Sequence, residues 1–255
     1  FCLGINRFVF HRYAHQPWLN LKPGMTMGLH GINLDRTTTW WDQGAAWISY
    51  LTRSQHLLQQ GQFVADVVHL IGEGAPCYLG WREQMHPALP AGFDYDGCDA
   101  EAVLRLLSVK DGRLVTPSGM NYRLLLLPDS EVMTPAVATR IRELVRDGAL
   151  VFGPRPARSP SLNDYPNCDQ QVQAIAREVW GDCDGKTVKT HSFGKGRVCW
   201  GQEFNKLAGE IGLQPDFEYL LPSAQAELLY IHRRTAEADL YFVSNQADAG
   251  FDALC

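Results

Sequence analysis

The sequence predicts an α/β fold built around an open, largely parallel β-sheet over about residues 64–215. The main observation is a strand–helix–strand pattern between positions 122 and 152. Two more observations extend it, an apolar and β-branched run at 64–71 and a helix-like segment at 100–107. Because parallel strands need crossover helices of this kind, the pattern favours a flavodoxin-like sheet.

The strand–helix–strand unit is marked at each boundary. An apolar run at 122–127 ends at Pro128, and Thr134 and Pro135 then supply a helix N-cap followed by a proline at the first helical position. One helical face carries apolar residues at i, i+4, i+7 and i+8: Val137, Ile141, Leu144 and Val145. Gly148 lies just past the helix, and the run at 149–152 is the second strand.

The segments before this unit predict a strand, a loop and a helix. Residues 7–10 are expected to form a short buried strand that leads into a polar, ring-rich loop at 11–18. Thr39 is expected to cap a helix from about 40 to 60, which ends near Gly61.

The segments after the unit are mostly strand-like. Glycines between alternating residues at 187–201 predict a hairpin. The runs at 227–232 and 238–243 predict two strands that open a β-rich domain.

Composition narrows the class of protein. The chain has 255 residues, 45% hydrophobic and 20% charged, and a net charge of −5. These values exclude a disordered, collagen-like or coiled-coil chain. The absence of a basic run argues against nucleic-acid binding. No stretch approaches the roughly 18 consecutive apolar residues that span a bilayer.

The chain ends and the cysteines also carry information. The chain opens on Phe1 without a signal peptide and stops at Cys255 after a strand-like run, so we expect a piece of a longer protein. Its seven cysteines are irregularly spaced and include no C-x-x-C pair, which argues against a zinc site or a disulfide framework. We expect mostly free or buried thiols, with a single bridge from Cys168 to Cys183 as the alternative.

Residues 1–86 differ in composition from the remainder. They hold five of the seven Trp and six of the eight His, but only five carboxylates. Rings and hydrogen-bonding groups on loops suit a polar ligand that stacks, and sugars are the commonest such ligand. Core filling is the alternative for any single Trp, although the neighbours Trp40 and Trp41 are hard to bury together.

Two polar clusters are the candidate binding residues. The histidines at 11 and 15 have the i, i+4 spacing of a helical zinc pair, but Pro17 forbids a long helix there. The alternative is a loop at the carboxyl-terminal face of a barrel that contacts substrate. The first cluster is His11, His15, Gln16 and Trp18, and the second is Asp35, Arg36, Trp40 and Trp41. An exposed ion pair is the simpler reading of Asp35 and Arg36.

The chain is poor in catalytic groups. Glu73, between two glycines after a strand, would repel the phosphate that a glycine-rich turn could otherwise hold. Glycoside hydrolysis needs two carboxylates, and residues 1–60 offer only Asp35 and Asp42. Either these two are used, or the catalytic pair lies upstream of Phe1.

An ordered series of segments resembles glycoside hydrolase family 106, the α-L-rhamnosidases. It begins with GINRFVFHRYAHQPW at 4–18. The series continues with GMTMG at 24–28, HG at 30–31, DR at 35–36, TWW at 39–41, YL at 50–51, LLQQG at 57–61, VADV at 64–67 and GE at 72–73. YIHRR at 230–234 and YFVSN at 241–245 are similar to the β-sandwich that follows in the family.

The resemblance implies a domain order and a chemistry. Residues 1–62 would be the carboxyl-terminal end of a catalytic (β/α)8-type barrel, 63–222 a flavodoxin-like domain of the class I glutamine-amidotransferase type, and 223–255 the start of a β-sandwich. It also implies inverting hydrolysis of terminal α-L-rhamnose in plant or bacterial glycans, by two Glu, with calcium near the sugar. Glu73 is the first Glu here, so the catalytic pair would lie upstream and the fragment would be inactive alone.

The same resemblance gives the eight candidate residues a role beside the substrate, either as its ligands or as supports for them. It implies a periplasmic or extracellular parent protein with a carbohydrate substrate. Two alternatives stay open. One is a β-galactosidase with an amidotransferase-like domain, and the other is a non-catalytic carbohydrate-binding or oligomerisation module.

Overall fold

The computed structural model describes residues 1–26, 28–30, 32–220, 228–248 and 250. The chain forms two compact units. Unit 1 combines Phe1–Phe63 with Gln225–Gly250, and the body of unit 2 is Val64–Ala224.

The described residues contain five α-helices and twelve strands. The helices are α1 (Gly44–Leu58), α2 (Ala100–Arg105), α3 (Pro135–Asp147), α4 (Asn167–Trp180) and α5 (Phe204–Glu210). The strands are β1 (Gln62–Phe63), β2 (Val67–Leu70), β3 (Tyr95–Cys98), β4 (Ser108–Lys110), β5 (Arg113–Val115), β6 (Asn121–Tyr122), β7 (Leu124–Leu126), β8 (Leu150–Phe152), β9 (Thr190–Phe193), β10 (Gly196–Cys199), β11 (Leu228–Arg234) and β12 (Asp239–Asn245). No helix among them has the length and apolar character needed to cross a bilayer.

Unit 2 is built on a six-stranded sheet with the order β3-β2-β7-β8-β10-β9. Every neighbouring pair is parallel except β9 and β10, which form the predicted antiparallel hairpin. All residues of β2, β7 and β8 are buried, as expected where a parallel sheet is covered on both faces. The prediction of a mixed α/β chain with a parallel sheet is therefore confirmed.

Helix α3 follows the signals that the sequence carries. The Thr134 hydroxyl accepts a hydrogen bond from the backbone N–H of Val137, and Pro135 is the first helical residue. Val137, Ile141, Leu144 and Val145 are all buried. Gly148 ends the helix at φ 126°, a conformation that favours glycine.

Helix α4 is absent from the sequence prediction although its core face is extensive. It buries Val172, Ile175, Ala176, Val179 and Trp180. The Trp180 indole N–H donates to the carbonyl of Gly153 at 3.1 Å and so is satisfied inside the core. The helix follows Pro166 without a side-chain cap, so the sequence lacks the usual start signal.

The six cysteines in the described residues are free thiols. Cys168 and Cys183 are both buried and unbridged, so the alternative of a disulfide between them is wrong. The Cys168 thiol donates to the carbonyl of Ser161 at 3.6 Å instead. The expectation of free or buried thiols is confirmed for these six.

Helix α1 of unit 1 begins later than predicted. A 3-10 turn, Trp41–Gln43, precedes it, and the N-cap residue is Gln43, which makes no side-chain cap. The capping role expected of Thr39 is therefore wrong, because the 3-10 turn separates it from the helix. Gly61 follows the helix end at φ 57°, where a Cβ would lie 2.1 Å from the carbonyl oxygen of Arg234.

The strand predicted at 7–10 is also wrong. Side chains, and not a paired strand, hold this segment: the Phe8 N–H donates to the Gln55 side-chain oxygen at 2.6 Å. The Phe8 and Phe10 rings stack at 6.2 Å, and Phe10 also meets Trp47 edge-on. Val9 between them is 88% exposed.

The carboxyl-terminal strands of unit 1 form a small antiparallel sheet with the order β1-β11-β12. This confirms the two predicted strands, except at Glu227, which lies outside the described residues. His232 of β11 is fully buried, with Nε2 2.8 Å from Asp239 Oδ1 and its ring stacked on Tyr241 at 4.0 Å.

The buried carboxyl group of Asp94 generates a pH prediction. Burial raises its pKa to about 6, although the Tyr95 N–H and Arg82, at 3.5 Å, favour the charged form. Because this pKa lies above the ordinary value of 3.8, stability falls as the pH rises from about 4 through 6. Asp94→Asn removes that loss. The free energy of unfolding of the variant minus that of the parent chain should rise by about 2 kcal/mol between pH 4 and 7.

Urea unfolding at a series of pH values measures this difference. Asp129→Asn is the matched control, since Asp129 is exposed. A variant difference that stays constant with pH would show that Asp94 is not the responsible group.

Candidate functional site

Backbone pairing brings the two predicted clusters of unit 1 together. The Arg12 N–H donates to the Ile32 carbonyl at 2.9 Å, and the Ile32 N–H donates to the His11 carbonyl at 2.8 Å. The Leu34 N–H donates back to the Arg12 carbonyl at 3.2 Å. The loop at 11–18 therefore lies beside the segment that carries Asp35 and Arg36. We call these two segments, with the turn at 23–25 and the residues at 40–41, the loop cluster.

Asp35 is the buried anion of the loop cluster, with 1% of its surface exposed. One carboxylate oxygen accepts from the Thr37 N–H at 2.9 Å and from the Thr37 hydroxyl at 3.0 Å. The Thr37 N–H is the main reason that the Asp35 pKa lies below its usual value, and Arg36, at 3.7 Å, and the Tyr13 hydroxyl lower it further. Asp35 thus stays ionised, which makes it unsuited to act as a general acid.

Thr37 and Tyr13 were missed as members of the site. The spacing of Asp35 and Thr37 is that of an Asx turn, a signal that could have identified Thr37. The contact of Tyr13 with Asp35 depends on the pairing of two loops and has no local signal in the sequence.

Gln16 holds the turn at 23–25. Its side-chain oxygen accepts from the Met25 N–H and its side-chain nitrogen donates to the Met25 carbonyl, both at 2.8 Å. The Thr37 hydroxyl also lies 2.8 Å from the Pro23 carbonyl and shares its single proton between that carbonyl and Asp35. Gly24 lies between these bonds at φ 81°, and a Cβ there would meet the Gln16 side chain at 2.1 Å. In this structure the Gln16 amide contacts the chain itself.

The other candidate residues divide by exposure. His11, His15, Trp18, Arg36 and Trp41 are exposed and available to a ligand. Trp40 is half-buried, with its ring against Gly44 and edge-on to Trp47 at 5.9 Å. Trp40 therefore supports the loop, and the pair Trp40 and Trp41 is not buried together.

Neither of the metal sites considered from the sequence, for calcium or for zinc, is found among the described residues. Within the described ranges, no group of three or more His, Cys, Asp or Glu side chains could hold a metal ion. The donors present do not fit the calcium that the family resemblance implies, nor a zinc ion at His11 and His15. No chemical step is assigned to a metal here.

The carboxyl-terminal edge of the unit 2 sheet is the other place where ligands commonly bind. In open α/β sheets that place is the crevice between the two neighbouring strands from which the strand order runs in opposite directions. Here those strands are β2 and β7. Glu73 lies after β2, and its two oxygens accept from the Thr134 N–H and hydroxyl, each at 2.7 Å. The amino terminus of α3 therefore already has an anion, supplied by the chain itself.

Unit 2 thus has its usual ligand position filled by a side chain, while unit 1 presents exposed rings and hydrogen-bonding groups on loops. The family model for alpha-L-rhamnosidase, glycoside hydrolase family 106, matches residues 1–254. The chain belongs to glycoside hydrolase family 106.

Two similar proteins extend this result. A protein of Formosa agariphila named as a putative beta-glucuronidase is 37% identical over 242 residues, which are 95% of this chain and 19% of that protein. The structure of a rhamnosidase from Novosphingobium sp. PP1Y has a TM-score of 0.83 at 28% identity. It aligns with 97% of this chain, which covers 23% of that structure. The chain therefore spans less than a quarter of either protein.

The Gln16 amide generates a prediction about the loop cluster. Gln16→Glu keeps the acceptor for the Met25 N–H but removes the donor to the Met25 carbonyl, at a cost of about 1 kcal/mol. Amide hydrogen exchange at Gly24 and Met25 should become about fivefold faster. The matched control is His15→Gln, an exposed neighbour that should leave the exchange unchanged. Equal exchange in both variants and the parent chain would show that Gln16 does not hold the turn.

Proposed function

We propose that this chain is part of an α-L-rhamnosidase-type glycoside hydrolase that removes terminal α-L-rhamnosyl groups from glycans with inversion. The observation that carries the proposal is the family match over residues 1–254. The likeness to a rhamnosidase structure along 97% of the chain supports it.

The domain assignment is part of the proposal. Residues 1–62 are the end of a catalytic (β/α)8-type barrel, 63–222 a flavodoxin-like domain of the amidotransferase type, and 223–255 the start of a β-sandwich. The flavodoxin-like assignment is supported by the strand order β3-β2-β7-β8, which is the spatial order 2-1-3-4 of flavodoxin-like sheets. The β-sandwich assignment is supported by β11 and β12, which pair as an antiparallel hairpin.

The reacting carboxylates belong to the part of the enzyme outside this chain. An inverting hydrolase needs a protonated acid and a separate carboxylate base. Asp35 has a lowered pKa and accepts bonds from Thr37, and Asp42 is exposed on the 3-10 turn. Asp35 therefore lacks the raised pKa that a general acid requires. The chain alone is then inactive.

The exposed apolar surface of unit 1 is evidence that another segment of the proposed enzyme packs against it. Large apolar side chains are exposed in its first 63 residues, among them Val9 at 88% and Leu29 at 101%. Exposed apolar area of this extent is costly in an isolated domain. In the proposed enzyme the remaining barrel covers part of it.

The loop cluster contributes substrate contacts. Exposed His11, His15 and Arg36 donate hydrogen bonds to sugar hydroxyls, and the rings of Trp18 and Trp41 stack on the sugar face. Buried Asp35 and half-buried Gln16 and Trp40 orient those loops, through their bonds to Met25 and Thr37 and the packing on Gly44.

A second candidate substrate comes from the Formosa relative, which is named as a putative beta-glucuronidase. Under that reading the exposed guanidinium of Arg36 would pair with a sugar carboxylate, a contact that arginine geometry favours. Parallel assays on aryl rhamnosides and aryl glucuronides separate the two substrates.

The activity prediction compares the longer protein with this chain. The longer protein should release the aryl group from an aryl α-L-rhamnoside, and proton NMR should show β-L-rhamnose as the first product. Residues 1–255 alone should show no turnover above the buffer rate. Preferential cleavage of an aryl β-D-glucuronide would replace the rhamnosidase assignment, and robust turnover by the chain alone would place the catalytic pair inside it.

The loop cluster gives a separate prediction. In the longer protein, Trp41→Ala should raise KM about fivefold with little change in kcat, through loss of about 1 kcal/mol of ring contact. Trp81→Ala is the control, since Trp81 is a comparably exposed ring in unit 2. Equal kinetics for the two variants would remove Trp41 from the substrate surface.

A further inference from the structure

A basic cleft lies in unit 2 at the amino-terminal edge of the sheet, opposite the edge that carries Glu73. It is a cavity of about 280 Å³ beside the starts of β7, β8 and β10. Among the described residues, three cationic side chains and no Asp or Glu line it: Arg123, Lys195 and Arg197. The chain has a net charge of −5, so this group of three positive charges is a local exception. Because the three cations repel one another, a bound anion would stabilise them.

The described part of the chain supplies no carboxylate partner for the three cations. Among the residues that the structure describes, no Asp or Glu oxygen lies within 4.0 Å of the charged nitrogens of Arg123, Lys195 or Arg197. Asp147, next in sequence to the lining glycine Gly148, pairs with Arg146 at 3.1 Å instead.

Helix capping does not account for these side chains. The last carbonyls of α3 lie at this edge, and the backbone N–H groups of Gly148 and Lys195 already bond to them at 2.9–3.1 Å. Arg123 is held in place because its Nη2 donates to the Ile211 carbonyl at 2.6 Å. The Lys195 and Arg197 side chains make no hydrogen bond within the described residues, so their donors remain free.

We propose that the basic cleft binds a compact ligand through an oxyanion group, a carboxylate or a sulfate. Arginine guanidinium groups suit such oxygens because their paired N–H groups match the anion geometry. The cavity is at the small end of the usual range for ligand sites, so the ligand has about the size of a monosaccharide. The site lies within unit 2 and does not depend on the rhamnosidase proposal.

The test is calorimetric titration of the longer protein with sodium sulfate and with sodium D-glucuronate. Chloride keeps the ionic strength constant, and excess L-rhamnose occupies any neutral sugar site. The cleft should bind at least one anion at one equivalent. Tighter binding of glucuronate identifies a sugar acid as the ligand, and tighter binding of sulfate identifies the free anion or a sulfate ester.

The variants assign that binding to the cleft. Arg197→Gln and Lys195→Gln should each weaken it about tenfold, since each removes a charged donor. Arg105→Gln, an exposed arginine paired with Glu101 at 2.8 Å, should leave it unchanged. Lys195 is exposed, so its variant tests the site even if Arg197→Gln fails to fold. If the unsubstituted longer protein binds neither anion, the proposal is wrong. It is also wrong if Lys195→Gln and Arg105→Gln bind the anion equally well.

Discussion

The burial of three short apolar strands on both faces is the constraint on which the rest of unit 2 depends. Every residue of β2, β7 and β8 is buried, so both faces of the sheet need a cover. Phe93, Phe204 and Leu207 join the core cluster that includes β2 and β7 residues. The apolar faces of α3 and α4 are also fully buried, and the Trp180 indole bonds to the Gly153 carbonyl within the core.

That packing leaves little space for chemistry at the usual ligand position. Glu73 bonds twice to Thr134, so the amino terminus of α3 interacts with the chain itself. Groups without internal partners are found elsewhere, on the loops of unit 1 and at the opposite edge of the unit 2 sheet. At the carboxyl-terminal edge of the unit 2 sheet the ligand position is thus filled by the chain itself, and the candidate anion site lies at the amino-terminal edge.

The loop cluster is organised differently, by side chains that bond to backbone. Gln16 bonds to Met25, and Thr37 connects Asp35 to Pro23. These bonds fix irregular backbone without a sheet or a helix, which leaves the rings and imidazoles nearby exposed. A surface of this kind can supply binding contacts while the reacting carboxylates come from another part of the enzyme.

The sequence was informative where the forces are local. Helix α3 carries a cap, a proline and an apolar face within 15 residues, and the structure agrees with each. Helix α4 has no side-chain cap, and the segment at 7–10 has an aromatic contact with the distant Trp47 that no local pattern reveals. In the candidate site, residue types indicated His11, Asp35 and Trp41. The contact of Tyr13 with Asp35 depends on how two loops pair, whereas the Asx-turn spacing of Asp35 and Thr37 is a local signal.

In the proposed enzyme the sugar lies against the loop cluster and reacts with carboxylates from outside this chain. A crystal structure of the longer protein with L-rhamnose bound tests this arrangement. Two carboxyl groups from other segments should flank the anomeric carbon, about 6.5–9.5 Å apart as in inverting enzymes. Side chains of the loop cluster should contact the sugar hydroxyls. A sugar flanked by carboxylates of residues 1–255, or bound away from the loop cluster, would contradict this arrangement.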